Sequence, residues 1–205
     1  MYLFLFMFSL ATLNEVSAEA LKNAAGKECI HVHNRYRRSL ANGEVKGDGI
    51  TLPKATDMNL MRYSTKLGDK AQELAAKCDV KTRPPRGVLH YSTSQKLDEA
   101  TAIMTAIENW WDRVKYFNTQ DVHYTFLMAT KELGNFAQIA LSTNTEVGCA
   151  VQDCSTSGTY VVCQYDKQLQ FNDLIYKTGG EPCSDCVPNR KFCHDGMCSK
   201  CAPKP

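Results

Sequence analysis

Lys46-Gly47-Asp48 sets an ammonium and a carboxylate two residues apart across a glycine. That spacing resembles the Arg-Gly-Asp tripeptide read by integrins. The carboxylate would complete a divalent-cation site, which takes hard oxygen ligands. The ammonium would meet an acidic pocket, and the glycine allows a turn tight enough to present both. A specified tripeptide arises by chance in a chain of this length about one time in twenty. The motif is therefore a candidate contact, not an assignment. A second candidate surface is the loop Lys81-Thr82-Arg83-Pro84-Pro85-Arg86. Its prolines stop a helix and favour extended backbone, so Lys81, Arg83 and Arg86 should stand on a pre-extended loop. The histidines offer less. His31 and His33 are two apart on a helical stretch and face different sides, so they cannot share a metal. His90 stands alone and gives no chelate. No G-x-S-x-G nucleophile elbow occurs.

The 205 residues include ten cysteines, and the formal net charge is +2. So mild a charge argues for neither nucleic acid nor a strongly anionic membrane as partner. Met1 to Ala18 reads as a secretory leader: an apolar run from Tyr2 to Leu13, then the small-residue cleavage site Val16-Ser17-Ala18. In an oxidising compartment ten cysteines read as five disulfides rather than as zinc ligands, and no reactive thiol is expected. Cys29, Cys78, Cys149, Cys154 and Cys163 lie in the main body, while Cys183, Cys186, Cys193, Cys198 and Cys201 lie in the tail. Each set is odd, so complete pairing within one chain requires at least one bridge between them.

The elements that must position these residues follow from periodicity. A first helix is expected from near Lys27 to about Asn42, followed by a glycine-rich loop to about Thr56. A second helix is expected over Thr65 to Lys77, with Leu67, Ala71, Leu74, Ala75 and Cys78 in one stripe. The longest amphipathic pattern runs from Leu97 to Phe117, and Trp110 and Trp111 fall at core spacing in it. Two short strands should flank Asp153 to Gly158, with Val147, Cys149 and Val151 on one face. After Gly179 apolar content falls and cysteine density rises, which marks a stapled module too short to build its own core. The expected organisation is a leader over 1–18, a main domain over 19–179 and a cysteine-rich hinge over 180–205.

Several of these stretches carry a resemblance. His33-Asn34-Arg35-Tyr36-Arg37, Gly134-Asn135-Phe136-Ala137-Gln138, Gly148-Cys149 and Cys163-Gln164-Tyr165 match, in order and spacing, signature stretches of the CAP family. That family comprises the venom-allergen, pathogenesis-related and cysteine-rich secretory proteins. The junction Gly180-Glu181-Pro182-Cys183-Ser184 resembles the hinge of nematode secreted members. The resemblance implies an α+β fold, a three-layer α-β-α sandwich with a C-terminal disulfide-rich hinge. It also implies bridges Cys29–Cys78 and Cys149–Cys163, which leaves Cys154 as the link to the tail.

Typical members hold two histidines and two glutamates around a central cleft, a set that suits zinc. Carried over position by position, these four fall here on Thr82, Val88, Arg113 and Asn135. None keeps its identity, so no metal, cofactor or catalytic residue is expected. The resemblance to secreted CAP proteins of blood-feeding hookworms implies a non-enzymatic antagonist. Its expected partner is a host cell-surface receptor, a platelet integrin, bound by a monomer through Lys46, Gly47 and Asp48, without membrane insertion. The alternative implied by the family is a lipid or sterol carrier, or another immune-modulating binding protein.

Overall fold

A computed structural model describes residues 24–155 and 157–202. The expected leader over 1–18 lies outside them. The helix α1 covers 24–41, and a short strand β1 (Arg62–Tyr63) leads into α2 (Thr65–Ala75). Strand β2 (Val88–Thr93) follows the proline loop, and α3 (Glu99–Trp111) runs into a 3-10 turn over Asp112–Tyr116. Two short helices, α4 (Phe126–Thr130) and α5 (Gly134–Ala140), precede the hairpin β3 (Glu146–Cys154) and β4 (Gly158–Tyr165). The tail adds a small hairpin, β5 (Phe192–His194) and β6 (Met197–Ser199). The one long amphipathic pattern is thus split. Asp98 caps α3 by accepting the Thr101 amide at 3.0 Å, and the last turns tighten into 3-10 geometry.

The main sheet has the order β1-β3-β4-β2, with β1 and β3 parallel and the other pairs antiparallel. Alternation along its strands separates two cores. Val147, Cys149, Val161, Cys163 and Tyr165 face a large cluster shared with α1, α3 and α5. Ala150, Cys154, Tyr160 and Val162 face the opposite side, against Ala71 and Ala75 of α2. The result is the three-layer α-β-α sandwich. The approach of α2 is so close that a Cβ on Gly148 would stand 2.0 Å from the Gly68 amide nitrogen. Trp111 packs between Tyr36 and Phe136, with ring centroids 4.8 and 4.9 Å away. Both expected core tryptophans are buried.

One side chain ties the layers' backbone together. Arg37 is fully buried and donates to the carbonyls of Asn59, Ile139, Leu141, Ser142 and Asn144 at 2.6–3.3 Å. One turn earlier, His33 donates from Nδ1 to the Cys29 carbonyl and accepts from the Tyr165 hydroxyl at Nε2, each at 2.7 Å. Burial holds the His33 pKa down from 6.5 to about 4. The unfolded chain therefore takes up the proton first, and stability present above about 6.5 is lost as pH falls through 4.

The disulfides depart from expectation. Cys78 pairs with Cys154, not with Cys29, and Cys149 pairs with Cys163. The sheet supplies the reason: Cys29 lies in the large core, whereas Cys78 packs against the cluster on the other face. The expected bridge from Cys154 to the tail is likewise corrected, because Cys154 is consumed by Cys78. The tail pairs Cys183–Cys193 and Cys186–Cys198 within itself. Cys29 stays buried and unpaired, Cys201 exposed and unpaired. The tail docks instead by backbone pairing. The Cys198 amide donates to the Met58 carbonyl at 2.7 Å, and its carbonyl accepts from Leu60 at 2.9 Å. Arg190 donates to the Leu60 carbonyl, and Thr56 donates to the Asp185 carboxylate at 2.6 Å.

Two tests follow from this packing. Arg37→Lys retains the charge but loses donors, which leaves buried carbonyls unpaired. It should lower the urea midpoint by an amount worth about 3 kcal/mol at an unchanged m-value. Iodoacetamide should label the native protein once, at Cys201, and a second time, at Cys29, only after denaturation. A non-reducing peptide joining Cys154 to any tail cysteine would contradict the pairing.

Candidate functional site: a basic cleft and an exposed turn

The cleft forms where four separate segments meet. Its floor is the start of β2, Val88 to His90, and one wall is the loop Arg83 to Gly87. Gly134, Asn135 and Gln138 of α5 form the second wall, and Tyr124 with Leu169 to Phe171 form the third. The volume is about 370 Å³, within the range of small-molecule sites. Gly87 makes the turn into the floor possible. Its φ is +75°, and a Cβ would meet Gln168 at 2.9 Å.

The third wall is fixed by the sequence around it. The Gln138 amide donates to the Lys167 carbonyl and its oxygen accepts from the Leu169 amide, each at 3.0 Å. Tyr124 donates its amide to the Asp173 carbonyl at 2.8 Å and accepts from Asn172 at 2.9 Å. These bonds hold the Tyr124 and Phe171 rings stacked, with centroids 5.5 Å apart and planes within 4°. Phe171 remains 51% exposed, and the neighbouring Phe126 75%.

On the floor, the Tyr160 hydroxyl donates to the Asp79 carbonyl at 3.0 Å, so it must accept from His90 Nδ1 at 2.9 Å. That fixes the proton on Nδ1, and partial burial lowers the His90 pKa. His90 is accordingly neutral at physiological pH. It lines the cleft beside Asn135 and the two arginines, with no acidic residue among the lining side chains.

Of the four positions carried over from the family's metal site, the structure brings Val88 and Asn135 into this cleft. It does not bring Thr82, which is exposed and caps the Asp79 carboxylate through its amide at 3.1 Å. Arg113 also lies outside the lining, paired with Glu132 at 2.8 Å. An apolar side chain, a carboxamide and one neutral imidazole, under two guanidinium groups, do not make a divalent-cation site. Among the described residues the ligand-type clusters lie elsewhere: Cys29, His33 and Cys149, and Cys183, Cys186 and Cys198. Disulfides occupy all of these sulfurs except Cys29. Burial pushes the Cys29 thiol pKa far up.

Within the basic loop, Arg83 and Arg86 line the cleft and Lys81 does not. Lys46-Gly47-Asp48 sits apart, on a tight turn between α1 and β1. Gly47 donates to the Ile50 carbonyl and Leu52 to Val45, each at 2.9 Å, while Asp48 donates to the Phe117 carbonyl at 2.8 Å. The Lys46 and Asp48 side chains are exposed. Gly47 has a structural reason of its own: a Cβ there would stand 2.1 Å from the Phe117 carbonyl oxygen. The left-handed position of the turn is Gly49, at φ +69°.

The Cysteine-rich secretory protein family model, CAP, matches residues 30–165. The chain belongs to the CAP family. It is 33% identical over 182 residues to the Ancylostoma secreted protein of Ancylostoma caninum, across 83% of this chain but only 43% of that protein. It spans less than half of that relative's length. Among solved structures, this CAP chain is similar to NaASP2 with Zn2+, at TM-score 0.76 and 28% identity, over 86% of this chain and 95% of that one. It is similar to hookworm platelet inhibitor at TM-score 0.61 and 26% identity, over 77% of each chain.

The Tyr124–Phe171 wall was not legible in the sequence. Its two halves are 47 positions apart in a stretch without clear periodicity, and only the alternating aromatic residues from Tyr124 to Phe126 hinted at it. Isothermal titration with zinc at neutral pH should show no saturable site in the micromolar range. A one-to-one heat abolished by His90→Ala would overturn the reading of the cleft.

Proposed function

We propose that this CAP protein is a secreted, non-enzymatic antagonist that occupies a host cell-surface receptor, with platelet integrins as the target class. The observation that carries this reading is the presentation of Lys46 and Asp48. Both side chains point from an exposed turn whose backbone is fixed by three hydrogen bonds, one of them to the Phe117 carbonyl. A turn fixed before binding loses less entropy on contact. Asp48 then offers a carboxylate that can complete a receptor-held cation site. The similar structure named hookworm platelet inhibitor supports platelets as the target cell, and venom and parasite secreted relatives support export.

A non-catalytic role accords with the cleft's chemistry. The imidazole in the lining, His90, has its pKa lowered by partial burial, is held by Tyr160 and has no nucleophile beside it. A lipid-carrier reading draws less support. The cleft walls carry Arg83, Arg86, Asn135, Gln138 and Gln170, which suit a polar ligand better than an acyl chain. The basic loop, with Lys81, Arg83 and Arg86, is the secondary contact in this reading.

Asp48→Asn keeps the turn, because the residue anchors it through its backbone amide alone. It should nevertheless weaken inhibition of platelet adhesion to fibrinogen about thirtyfold or more, as expected for one lost charged contact. Lys46→Ala should cost less, since an ammonium on a flexible stem acts as a point charge. Full inhibition by Asp48→Asn would show the tripeptide to be coincidental and move attention to Arg83 and Arg86.

A further inference from the structure

Arg83 and Arg86 differ from every other arginine in the chain. Arg35, Arg38, Arg62 and Arg113 pair with carboxylates. Arg37 and Arg190 are spent on buried carbonyls. Among the described residues, Arg83 and Arg86 alone have neither a hydrogen-bond nor an ion-pair partner, and both line one wall of the same cleft. Pro84 and Pro85 separate them and stiffen the wall. The nearby carboxylates are already engaged: Asp79 holds the Thr82 amide, and Asp173 accepts the Gln170 amide at 2.8 Å.

Across the cleft stands the Tyr124–Phe171 stack, held by the backbone ladder between residues 122–124 and 172–175. Asn135 and Gln170 also line the cleft, with side-chain amides that have no partner among the described residues. Two unpaired guanidinium groups want a multiply charged, planar or tetrahedral oxyanion. A preordered aromatic wall wants a flat ring, and free carboxamides want that ring to carry hydrogen-bonding edges. From this combination we infer that the cleft binds a phosphorylated nucleoside, of the size of a nucleoside diphosphate. The phosphates lie on Arg83 and Arg86, the base lies against Tyr124 and Phe171, and Asn135 and Gln170 meet its polar edge. The volume of about 370 Å³ favours a small molecule over an extended peptide. The two cationic groups match a diphosphate better than a single sulfate.

This reading is independent of the Lys46-Gly47-Asp48 turn, and its test does not involve platelets. Isothermal titration of the full mature chain with ADP, in buffer free of divalent cations, should give one saturable site in the micromolar range. Adenosine and pyrophosphate should each bind at least about tenfold more weakly, because each lacks half of the recognised chemistry. Arg83→Ala combined with Arg86→Ala should weaken ADP binding by about thirtyfold or more. The near-ultraviolet circular dichroism should stay unchanged, as both side chains lie at the surface. Phe171→Ala should weaken ADP about tenfold while leaving pyrophosphate binding as it was. The inference is overturned if ADP gives no saturable heat, or if the double arginine variant binds ADP as the parent does. Tighter binding of a tyrosine-sulfated peptide than of ADP would also overturn it, since the cleft would then belong to an acidic segment of a protein partner.

Discussion

The Arg37 guanidinium is the interaction on which the rest of the molecule rests. It enters from α1 and gathers carbonyls from two chain segments far from it in sequence, Asn59 on the approach to β1 and Ile139 to Asn144 between α5 and β3. Among the described residues no carboxylate partners it directly. Its charge is met by oriented backbone dipoles instead, which is how a cation is kept in a core whose burial works to lower its pKa. Asn34 of the same helix reinforces the arrangement, exchanging hydrogen bonds with the Met61 backbone at 3.0 Å in both directions. The segment that Arg37 fixes carries the end of α5, and the start of α5 walls the cleft. The cleft's geometry is thus anchored by a residue that does not touch it.

That anchoring keeps the cleft's supports separate from the side chains that line it. Two of the carried-over positions, Val88 and Asn135, line it together with Arg83 and Arg86 of the proline loop, while the supports behind them are backbone bonds and buried polar staples. The Gln138 carboxamide joins α5 to the Lys167–Leu169 strand-exit segment. Trp110 donates its indole N–H to the His90 carbonyl at 3.1 Å. The field in such a cleft is set by which charges are already paired. Arg113 is neutralised by Glu132 outside it, whereas Arg83 and Arg86 face into it uncompensated.

The tail shows the same economy of covalent links. It is stapled to itself by two disulfides and held on the body by a backbone bridge at Asn59 and Cys198, with Arg190 over the Leu60 carbonyl. Residues 58–60 therefore meet the tail, and Asn59 also meets Arg37. The hinge docks on one of the two stretches that the core arginine already immobilises.

The sequence by itself determined the three longer helices, the β3–β4 hairpin and the family, because these depend on local periodicity, turn chemistry and short motifs; the short helices α4 and α5 were not legible in it. The resemblance also implied that the family's four metal-site residues are replaced here, at Thr82, Val88, Arg113 and Asn135. The sequence did not determine the partners of the cysteines, although one clue was present. Cys149 and Cys154 are five residues apart on one strand and so face opposite sides, which places Cys154 with α2 and Cys78 rather than with Cys29. The tertiary structure alone decided that Thr82 and Arg113 leave the cleft and that Tyr124 and Phe171 enter it. It also decided that two of the eight arginines have no partner among the described residues. Whether a charge is free depends on which other groups reach it in space, and that is a property of packing between segments far apart in the chain.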